Sequence, residues 1–575
     1  MSELGDLLRA LGNATPVQQT QYFSNQSPVA NSAELERILA LPRRTANALD
    51  HVDIQVVSNK YRRPNGTMLL RPIQAWALEE ARTQRGLIAP MAVGGGKTLV
   101  SLLLPRAMDV STSVLFVPAA LKRQLQNNYD EYLQHWVLPN LYDYKFDTTV
   151  KNMLYVFSYD ELSSPKKFDL LSRINPDLLI CDEAHNLKAL SAARTKRLLR
   201  YFKARPTTLF CAMSGTLISR SIMDFGHLAP LALRERTPTP LTYPVRVEWA
   251  SALDPGLERA PPGELMRFCR PGEDVRVGFR RRLTETHGVV ASPPEIFPVS
   301  LNIFKRKPTL DDETQGVMLG VRKTWSLPTG ENFDSALSYW RAMTQLACGF
   351  YYRWIWPNGE PEDVRREWMD ARREWNAEVR DYLQKRASAG MDSPGLLAEA
   401  AASGKWASAA WVRWAAVKDS ATPATEPVWI SDCIVQEAVQ WGRNNVGIIW
   451  YAHDAFGQAV AKAGGFPLCG GGPDTGIEKE DGSRTIVASI DAHGTGKQLH
   501  MFSRALVTTP PGSNEGWEQL LGRLHRPGQT ADEVNFDVYQ HTIELQEAFT
   551  RARDEAPFVA GVLDVRPRLT YATII

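Results

Sequence analysis

The chain has 575 residues, 44% of them hydrophobic and 23% charged, so it is long enough for two or more domains with their own cores. No uninterrupted apolar run approaches the ~18 residues that a membrane span needs, and the N-terminal segment has no apolar h-region, so we expect neither a membrane partner nor a secretory signal. The formal net charge of +2 is too small to identify a nucleic-acid partner by itself.

The six cysteines lie far apart, and no two of them form a C-x-x-C pair. This spacing argues against a disulfide framework and against a zinc site. Reduced thiols are the simpler interpretation, and they are typical of a protein that stays inside the cell. We therefore expect a cytoplasmic location.

Residues 1–60 show moderate helical patterning and no motif, and we interpret them as an N-terminal extension. The first motif is "APMAVGGGKTLVSLLLP", in which a short apolar run, a glycine-rich turn and a helix-like stretch follow one another. This order is the context of a phosphate-binding loop. Backbone N–H groups of Gly94, Gly95 and Gly96 would cradle phosphates, Lys97 would reach the β/γ oxygens, and the Thr98 hydroxyl would bind Mg²⁺.

The loop departs from the usual pattern because Met91 replaces the first glycine. That glycine helps the turn but carries no ligand atom. A glycine-rich strand-to-helix turn of another α/β fold is the alternative interpretation of this stretch.

The acid that a nucleotide site requires follows in "PDLLICDEAHNLK". Residues 178–181 form a buried-strand run, and Asp182 and Glu183 come at its carboxyl end, where open parallel sheets place their ligands. We expect Asp182 to hold Mg²⁺ through water and Glu183 to orient and deprotonate the attacking water. A solvated turn is the alternative for two adjacent acids.

The Asp-Glu-Ala-His run at 182–185, together with Lys97 and Thr98, resembles superfamily 2 helicases and translocases. The resemblance implies further roles in motif order. Gln74, in "MLLRPIQAWAL", would read the adenine edge, and Ser214 to Thr216 would couple the ATP site to the nucleic-acid site. The strand ends in "VLFVPAALKRQLQNNY" and "YVFSYDEL" would contact nucleic acid through Pro118, Lys122, Ser158 and Tyr159.

The middle of the chain carries arginines and tryptophans but no further motif of this kind. Arg280 to Arg282 could contact phosphates, although a solvated or acid-paired cluster is an equal alternative. Twelve of the 16 tryptophans fall between Trp325 and Trp450, and residues 364–382 place apolar residues four and three apart, which predicts one apolar stripe on a long helix. Such a stripe favours interhelical packing over base stacking, so we expect a helical insertion packed on the second lobe.

The most specific match is residues 489–529, which end in Q-x-x-G-R-x-H-R-x-G-Q. This run resembles motifs V and VI of the SNF2-like branch of superfamily 2. Arg523 and Arg526, three apart on a helix, would reach across a cleft to the γ-phosphoryl oxygens, with Gln519 one turn earlier facing the same water and phosphate. The resemblance also places Ser489 and Gly494 at the nucleic acid.

The sequence departs from the SNF2-like pattern at several positions, including Leu217, His493 and residues 509–514, without losing a catalytic group. These departures count against transferring the family's DNA-gripping details or its chromatin role. The resemblance covers roughly residues 66–245 and 430–545, a little over half of the chain.

Together these observations predict an α/β fold of two RecA-like P-loop NTPase lobes with a helical insertion. The expected domains are an N-terminal extension (1–60), an ATP-binding lobe 1 (61–245), a protrusion, linker and tryptophan-rich insertion (246–429), and a C-terminal helicase lobe 2 (430–575).

The expected function is an ATP-dependent SNF2-like DNA translocase that uses ATP and Mg²⁺ and acts on DNA, with duplex favoured. A strand-separating or annealing helicase on single-stranded DNA or RNA is one alternative, and an ATP-regulated nucleic-acid-binding scaffold is another. Glu183 and the two arginines disfavour the scaffold, because a pure switch needs no water-activating acid. A bacterial or bacteriophage setting suits such a compact motor by analogy. No feature of the sequence identifies a protein partner.

Overall fold

The structure is a computed structural model of the chain. It describes residues 27–44, 52–91, 95–142, 150–215, 221–255, 259–292, 299–333, 335–385, 390–471, 476–494, 496–563 and 566–575.

Fifteen β-strands are present among the described residues. In chain order they are β1 (Leu87–Ala89), β2 (Thr112–Val117), β3 (Asn140–Leu141), β4 (Met153–Ser158), β5 (Leu178–Asp182), β6 (Leu209–Met213), β7 (Ser300–Arg306), β8 (Phe350–Ile355), β9 (Ala424–Trp429), β10 (Ile448–Tyr451), β11 (Leu468–Cys469), β12 (Ile486–Ser489), β13 (Arg504–Val507), β14 (Glu533–Tyr539) and β15 (Thr573–Ile574).

The α-helices of the described residues are numbered in the same way. They are α1 (Ala33–Ala40), α2 (Ile54–Tyr61), α3 (Pro72–Gln84), α4 (Lys97–Ala107), α5 (Lys122–Leu133), α6 (Tyr159–Ser163), α7 (Leu170–Ile174), α8 (Ala193–Ala204), α9 (Ala229–Leu233), α10 (Tyr243–Leu253), α11 (Val275–Thr284), α12 (Asp312–Thr324), α13 (Ala336–Leu346), α14 (Glu362–Lys385), α15 (Pro394–Ala402), α16 (Ala409–Val417), α17 (Cys433–Asn444), α18 (Asp454–Gly464), α19 (Ile490–His493), α20 (Asn514–Leu524), α21 (Ile543–Leu563) and α22 (Arg568–Tyr571).

Lobe 1 is built on a six-stranded parallel sheet with the order β1-β6-β5-β2-β4-β3. Its strands are continuous apolar runs because helices cover both faces of the sheet. Successive residues alternate between two cores, so that Ile180 and Cys211 pack on one side while Leu179 and Phe210 pack on the other. All strands run the same way, so the loops that follow them meet at one edge of the sheet.

Lobe 1 extends beyond residue 245. Helices α10 and α11 contribute Trp249 and Phe279 to the same core as β5 and β6, and Val289 forms a parallel bridge with Ile88 of β1. Burial of these aromatic side chains against the sheet holds the segment on lobe 1. The end of this lobe therefore differs from the boundary that the sequence predicted.

Lobe 2 is a second parallel sheet, with the order β11-β12-β10-β13-β14-β7-β15. Strand β7 pairs in parallel with β14 along its whole length, from Ser300 opposite Glu533 to Arg306 opposite Tyr539. This strand lies in the segment assigned from sequence to the linker, so the second sheet begins well before residue 430. Both lobes are α/β layers around parallel sheets, which confirms the predicted fold class.

The tryptophan-rich insertion leaves and re-enters lobe 2 through an antiparallel ribbon of β8 and β9, in which Phe350 lies opposite Trp429. Helices α14, α15 and α16 lie between these two strands in the chain. Trp368, Ala371, Trp375 and Val379 of α14 are buried, as the predicted stripe requires. Trp375 lies 5.0 Å from Trp411 and Trp368 lies 5.2 Å from Trp414, measured between ring centroids, so the tryptophans pack between helices.

Arginines of the insertion and of α11 contact protein groups. The guanidinium of Arg372 lies over the rings of Trp354 and Trp368 at 5.2 and 5.3 Å. Arg280 donates to the carbonyl of Ala560 at 3.0 Å, and Arg281 pairs with Glu273. Arg281 thus fits the acid-paired alternative, whereas the contact of Arg280 is to a backbone carbonyl.

No helix of the described ranges is long and apolar enough to cross a membrane.

Candidate active site

The phosphate-binding loop leads from β1 into α4. Gly96 caps this helix with a φ of 78°, a left-handed conformation that favours glycine, and a Cβ at this position would overlap Gln74 Nε2. Gly95 is buried beside it, whereas Gly94 lies outside the described residues. Thr98 is the second residue of α4 and is partly exposed at the helix N-terminus, where the helix dipole favours anions.

Gln74 connects the helix before the loop to the loop itself. Its Oε1 accepts a hydrogen bond from the Arg71 backbone N–H at 2.8 Å, and its Nε2 donates to the Gly96 carbonyl at 3.1 Å. The side chain is only 5% exposed. These contacts fix the end of the loop, and the adenine-reading role of Gln74 stays a prediction.

Lys97 and the acids of β5 lie together. Lys97 is 8% exposed, and its Nζ lies 3.2 Å from the Met91 carbonyl oxygen and 3.3 Å from Glu183 Oε1. Met91 thus supplies a backbone oxygen to the lysine, for which no glycine is needed. Glu183 adopts a φ of 52°, an uncommon conformation for a non-glycine residue that is found at functional sites.

The two carboxyl groups differ strongly in their pKa values. Burial, followed by the charge of Glu183, raises the pKa of Asp182 to about 7. Burial acts in the same direction on Glu183, but Lys97 and His185 outweigh it and hold the pKa of Glu183 well below its usual range. A buried carboxylate whose pKa is raised by burial and by a second carboxylate fits a divalent cation, because a cation would compensate its charge.

The arginines come from the opposite lobe. Arg523 donates from Nε to the Gln519 carbonyl at 2.8 Å and from Nη1 to the Lys497 carbonyl at 3.0 Å, and Arg526 Nη1 donates to the same Lys497 oxygen at 3.3 Å. Within the described chain, Arg526 Nε has no hydrogen-bond partner. Burial and then the positive charge of Arg526 lower the pKa of Arg523 to about 9, while the carboxylate of Glu183 acts in the opposite direction. Two neighbouring cations in this position favour an anion between the lobes.

Sequence reasoning missed an ionic contact between the lobes. Glu515 of α20 approaches His185 Nε2 with Oε1 at 3.0 Å and Lys188 Nζ with Oε2 at 2.6 Å. His185 turns its other ring nitrogen, Nδ1, toward Ser214 Oγ at 3.0 Å. The spacing of Glu515, Gln519 and Arg523 at four-residue intervals, on one helix face, was the sequence signal that could have identified this acid.

The nucleic-acid residues predicted on lobe 1 lie at or just after the ends of β2 and β4. Pro118 directly follows β2, and Lys122 begins α5, where its Nζ lies 2.8 Å from Glu161 Oε2. Ser158 caps α6 by accepting from Glu161 N–H at 3.1 Å. Tyr159 is 2% exposed and donates its hydroxyl to the Asp182 carbonyl at 2.7 Å, so its side chain supports the acid strand and faces the interior.

On lobe 2 the two remaining candidates flank α19. Ser489 caps this helix by accepting from Ala492 N–H at 3.4 Å, and Gly494 is buried directly after it. Nearby, Gly496 approaches Leu121 of lobe 1 so closely that a Cβ would overlap the leucine. The lobes are therefore in contact beside the predicted nucleic-acid edge as well as at Glu515.

Residues 67–219 match the family model described as Type III restriction enzyme, res subunit. The matched segment contains Gln74, Lys97, Asp182 and Glu183 and spans the strands of the lobe 1 sheet. This similarity to a superfamily 2 helicase-like family supports a helicase-like, ATP-dependent nucleic-acid motor. The SNF2-like branch was inferred from residues 489–529, outside the match, and stays a prediction. No curated protein matches the chain.

Proposed function

We propose that this protein is an ATP-dependent, SNF2-like DNA translocase that couples hydrolysis to movement on duplex DNA. The observation that carries the proposal is the pair of arginines on lobe 2, because Arg523 lies beside Arg526 and interacts with the Glu183 carboxylate of lobe 1. Arg523 is 4% exposed and Arg526 Nε has no partner among the described residues. A buried cation such as Arg523, beside a second cation, is costly unless an anion enters the cleft.

The residues divide the work of hydrolysis between the lobes. Lys97 and the N–H groups at the start of α4 bind the phosphates of ATP, and Thr98 and Asp182 would hold Mg²⁺, which when bound neutralises phosphate charge. Glu183 orients the attacking water and accepts its proton. Arg523 and Arg526 stabilise the charge that develops on the transferred phosphoryl group, and Gln519 faces the same water.

Hydrolysis in this arrangement depends on closure, because the arginines reach the phosphate only when the lobes meet. The proposed contacts lie on both lobes, with Pro118, Lys122 and Ser158 on one and Ser489 and Gly494 on the other. If DNA bridges these edges, each cycle of closure and opening shifts one lobe along the duplex. In this proposal, the energy of ATP hydrolysis drives directional movement of the protein along DNA.

The test is steady-state ATP hydrolysis without nucleic acid and with duplex DNA, single-stranded DNA or duplex RNA. We expect duplex DNA to stimulate hydrolysis most strongly, and Lys97→Ala and Arg526→Ala to remove the stimulated rate. Loss of an arginine that acts on the phosphoryl group typically costs about 10³-fold or more in kcat. Displacement of a triplex-forming strand then measures movement.

The other outcomes separate the alternatives. Preferential stimulation by single strands or by RNA would support the strand-separating or annealing helicase. Tight DNA binding with hydrolysis near background would overturn the motor proposal and support the scaffold.

A further inference from the structure

Glu515 is the acid through which α20 of lobe 2 contacts the strand-end segment that carries Glu183. Its two oxygens engage different lobe 1 residues, His185 at 3.0 Å and Lys188 at 2.6 Å. The carboxylate side chain is 13% exposed, so the contact is shielded from solvent. Because its partners lie on the other lobe, this contact exists only while the lobes are together.

His185 continues the contact to the residue proposed as general base. Its Nδ1 lies 3.4 Å from Glu183 Oε2 and 3.0 Å from Ser214 Oγ. Ser214 Oγ also donates to Glu183 Oε2 at 3.1 Å. The imidazole ring is rigid, so fixing Nε2 against Glu515 also fixes where Nδ1 stands beside Glu183.

Lys188 differs from His185 in one decisive respect. Its side chain pairs with Glu515 but is 39% exposed, and among the described residues Glu183 forms its ion pairs with Lys97 and His185, not with Lys188. A simple clamp between the lobes would use both partners of Glu515, whereas an effect on the general base would use His185 alone. Substitutions of Lys188 and of His185 therefore distinguish these two roles, because both residues contact the same Glu515 carboxylate.

Helix α20 carries both Glu515 and Arg523, one of the two arginines of the site. Glu515, Gln519 and Arg523 are spaced by four residues, so they lie within about 80° of one another around the helix. Anchoring the first of these residues to lobe 1 sets the rotation at which the others face the cleft. One contact therefore constrains both the base side and the arginine side of the site.

We infer that Glu515 is a positioning residue that transmits lobe closure to Glu183 through His185, so that the water-activating carboxylate is held in place only in the closed enzyme. The inference rests on the proposed ATP hydrolase function. It assigns to Glu515 an effect on turnover and none on the initial binding of ATP, which Lys97 and Thr98 carry out within lobe 1.

The experiment measures kcat and KM for ATP at saturating duplex DNA in the full-length protein and in four variants: Glu515→Ala, Glu515→Gln, Lys188→Met and His185→Ala. We expect Glu515→Ala to lower kcat about 10-fold with KM within about twofold, the pattern of an interaction made on the way to the transition state. Glu515→Gln retains an oxygen that accepts from His185 and should recover part of the loss. Lys188→Met should stay within about twofold of the wild type.

A double variant, Glu515→Ala/His185→Ala, tests the route of the effect. If Glu515 acts through His185, the double variant is no slower than His185→Ala, because the second substitution removes a contact already lost. Thermal unfolding of each variant, unchanged within a few degrees, separates the effect from misfolding.

Three results would overturn the inference: an equal loss in Lys188→Met, which indicates a clamp; a multiplicative loss in the double variant; or a change confined to KM. If wild type hydrolyses ATP and Lys97→Ala does not, any of these results leaves the proposed function standing. A wild type without DNA-stimulated hydrolysis would overturn both.

Discussion

Asp392 of the tryptophan-rich insertion forms a buried ion pair with Arg197 of lobe 1, with Oδ1 2.9 Å from Nη2 and neither side chain more than 2% exposed. Arg200 approaches the other carboxylate oxygen at 2.9 Å. The insertion is attached to lobe 2, because Phe350 and Tyr351 of its ribbon pack into that lobe's core. It therefore spans both lobes outside the ATP cleft.

Replacing Asp392 with asparagine should release the insertion from lobe 1. Removing one partner of a buried pair leaves an uncompensated charge and costs about 3 kcal/mol, which corresponds to roughly 100-fold faster amide exchange for elements whose protection depends on docking. Hydrogen exchange of α15, which begins at Pro394, is the measurement. Asp370→Asn, which breaks an exposed pair with Arg373, is the control and should change exchange by less than about threefold. Equal exchange in Asp392→Asn and wild type would contradict the docking role.

Tyr159→Phe should weaken the fold of lobe 1 and leave DNA binding unchanged. The lost hydrogen bond joins the buried Tyr159 hydroxyl to the Asp182 carbonyl at 2.7 Å, and such a bond contributes about 1 kcal/mol. The free energy of unfolding and the duplex DNA affinity are measured together. Lys122→Ala serves as the comparison, because removing a phosphate contact should weaken DNA binding and reduce its salt dependence by about one counterion. Weaker DNA binding by Tyr159→Phe would support the contact that the sequence predicted.

The parts of the fold that could be predicted are those whose signal is local. The apolar run ending in Asp182 is buried as a strand, and the glycines before Lys97 form the turn into α4, because these conformations depend on residues within a few positions. The stripe through Trp368 and Trp375 likewise faces a core. Each of these features can be recognised from a short stretch of residues.

The features that could not be predicted depend on pairs far apart in the chain. Arg197 and Asp392 are separated by 195 residues, and nothing near either residue marks the other. Strand β7 is a short alternating segment without flanking motifs, and its place beside β14 follows from three-dimensional packing. For Glu515 the spacing to Gln519 and Arg523 marks the helix face, but an acid in the first turn of a helix is common on electrostatic grounds alone. Its partners His185 and Lys188 lie on the other lobe, so the contact itself follows only from the three-dimensional structure.

Arg523→Met should stabilise the protein in the absence of nucleotide while abolishing turnover. Arg523 is buried beside Arg526, so the native state carries the cost of two neighbouring cations until an anion arrives. Replacing such a group with an apolar one of similar length is expected to gain about 1 kcal/mol or more. The unfolding temperature is measured with and without a non-hydrolysable ATP analogue. We expect the analogue to stabilise wild type more than the variant, and a lower unfolding temperature for nucleotide-free Arg523→Met would contradict the prediction.

The pH dependence of turnover should have an alkaline limb that depends on Glu515. Burial alone would lower the pKa of His185, but the carboxylates of Glu515 and then Glu183 outweigh it and raise the pKa to about 9. Two further charged groups interact with this cluster: Asp182 interacts with His185, and Lys97 interacts with Glu183. Lys188 pairs with Glu515. Because the folded pKa is raised above 6.5, the contribution of the imidazolium is complete below that pH and is lost as pH rises through about 9.

The measurement is kcat for duplex-stimulated hydrolysis between pH 6.5 and pH 10. In Glu515→Gln the largest upward influence on the His185 pKa is gone, so we expect the limb to move to lower pH by about one unit or more. Lys188→Met provides the comparison and should keep the limb near its wild-type position. An identical limb in wild type and Glu515→Gln would show that another group titrates.

Gly496→Ala should hinder closure on the nucleic-acid side of the cleft. Gly496 has a φ of 78°, where an alanine costs about 1–2 kcal/mol, and its Cβ would overlap Leu121 of the facing lobe. Leu121 must then rotate away or the lobes must part. Since the lobe 1 phosphate loop is untouched, we expect kcat to fall roughly fivefold with ATP affinity within about twofold.

The double variant Leu121→Ala/Gly496→Ala distinguishes overlap from backbone strain. Shortening Leu121 makes room for the new methyl group without relieving the positive φ, so recovery of most of the rate assigns the defect to the contact between lobes. Gly316→Ala in α12 is the control, because a Cβ there meets nothing within 4 Å and a helix interior gains about 0.5–1 kcal/mol from the substitution. A double variant as slow as Gly496→Ala would instead place the defect in the local backbone of lobe 2 and remove this contact from the closure mechanism.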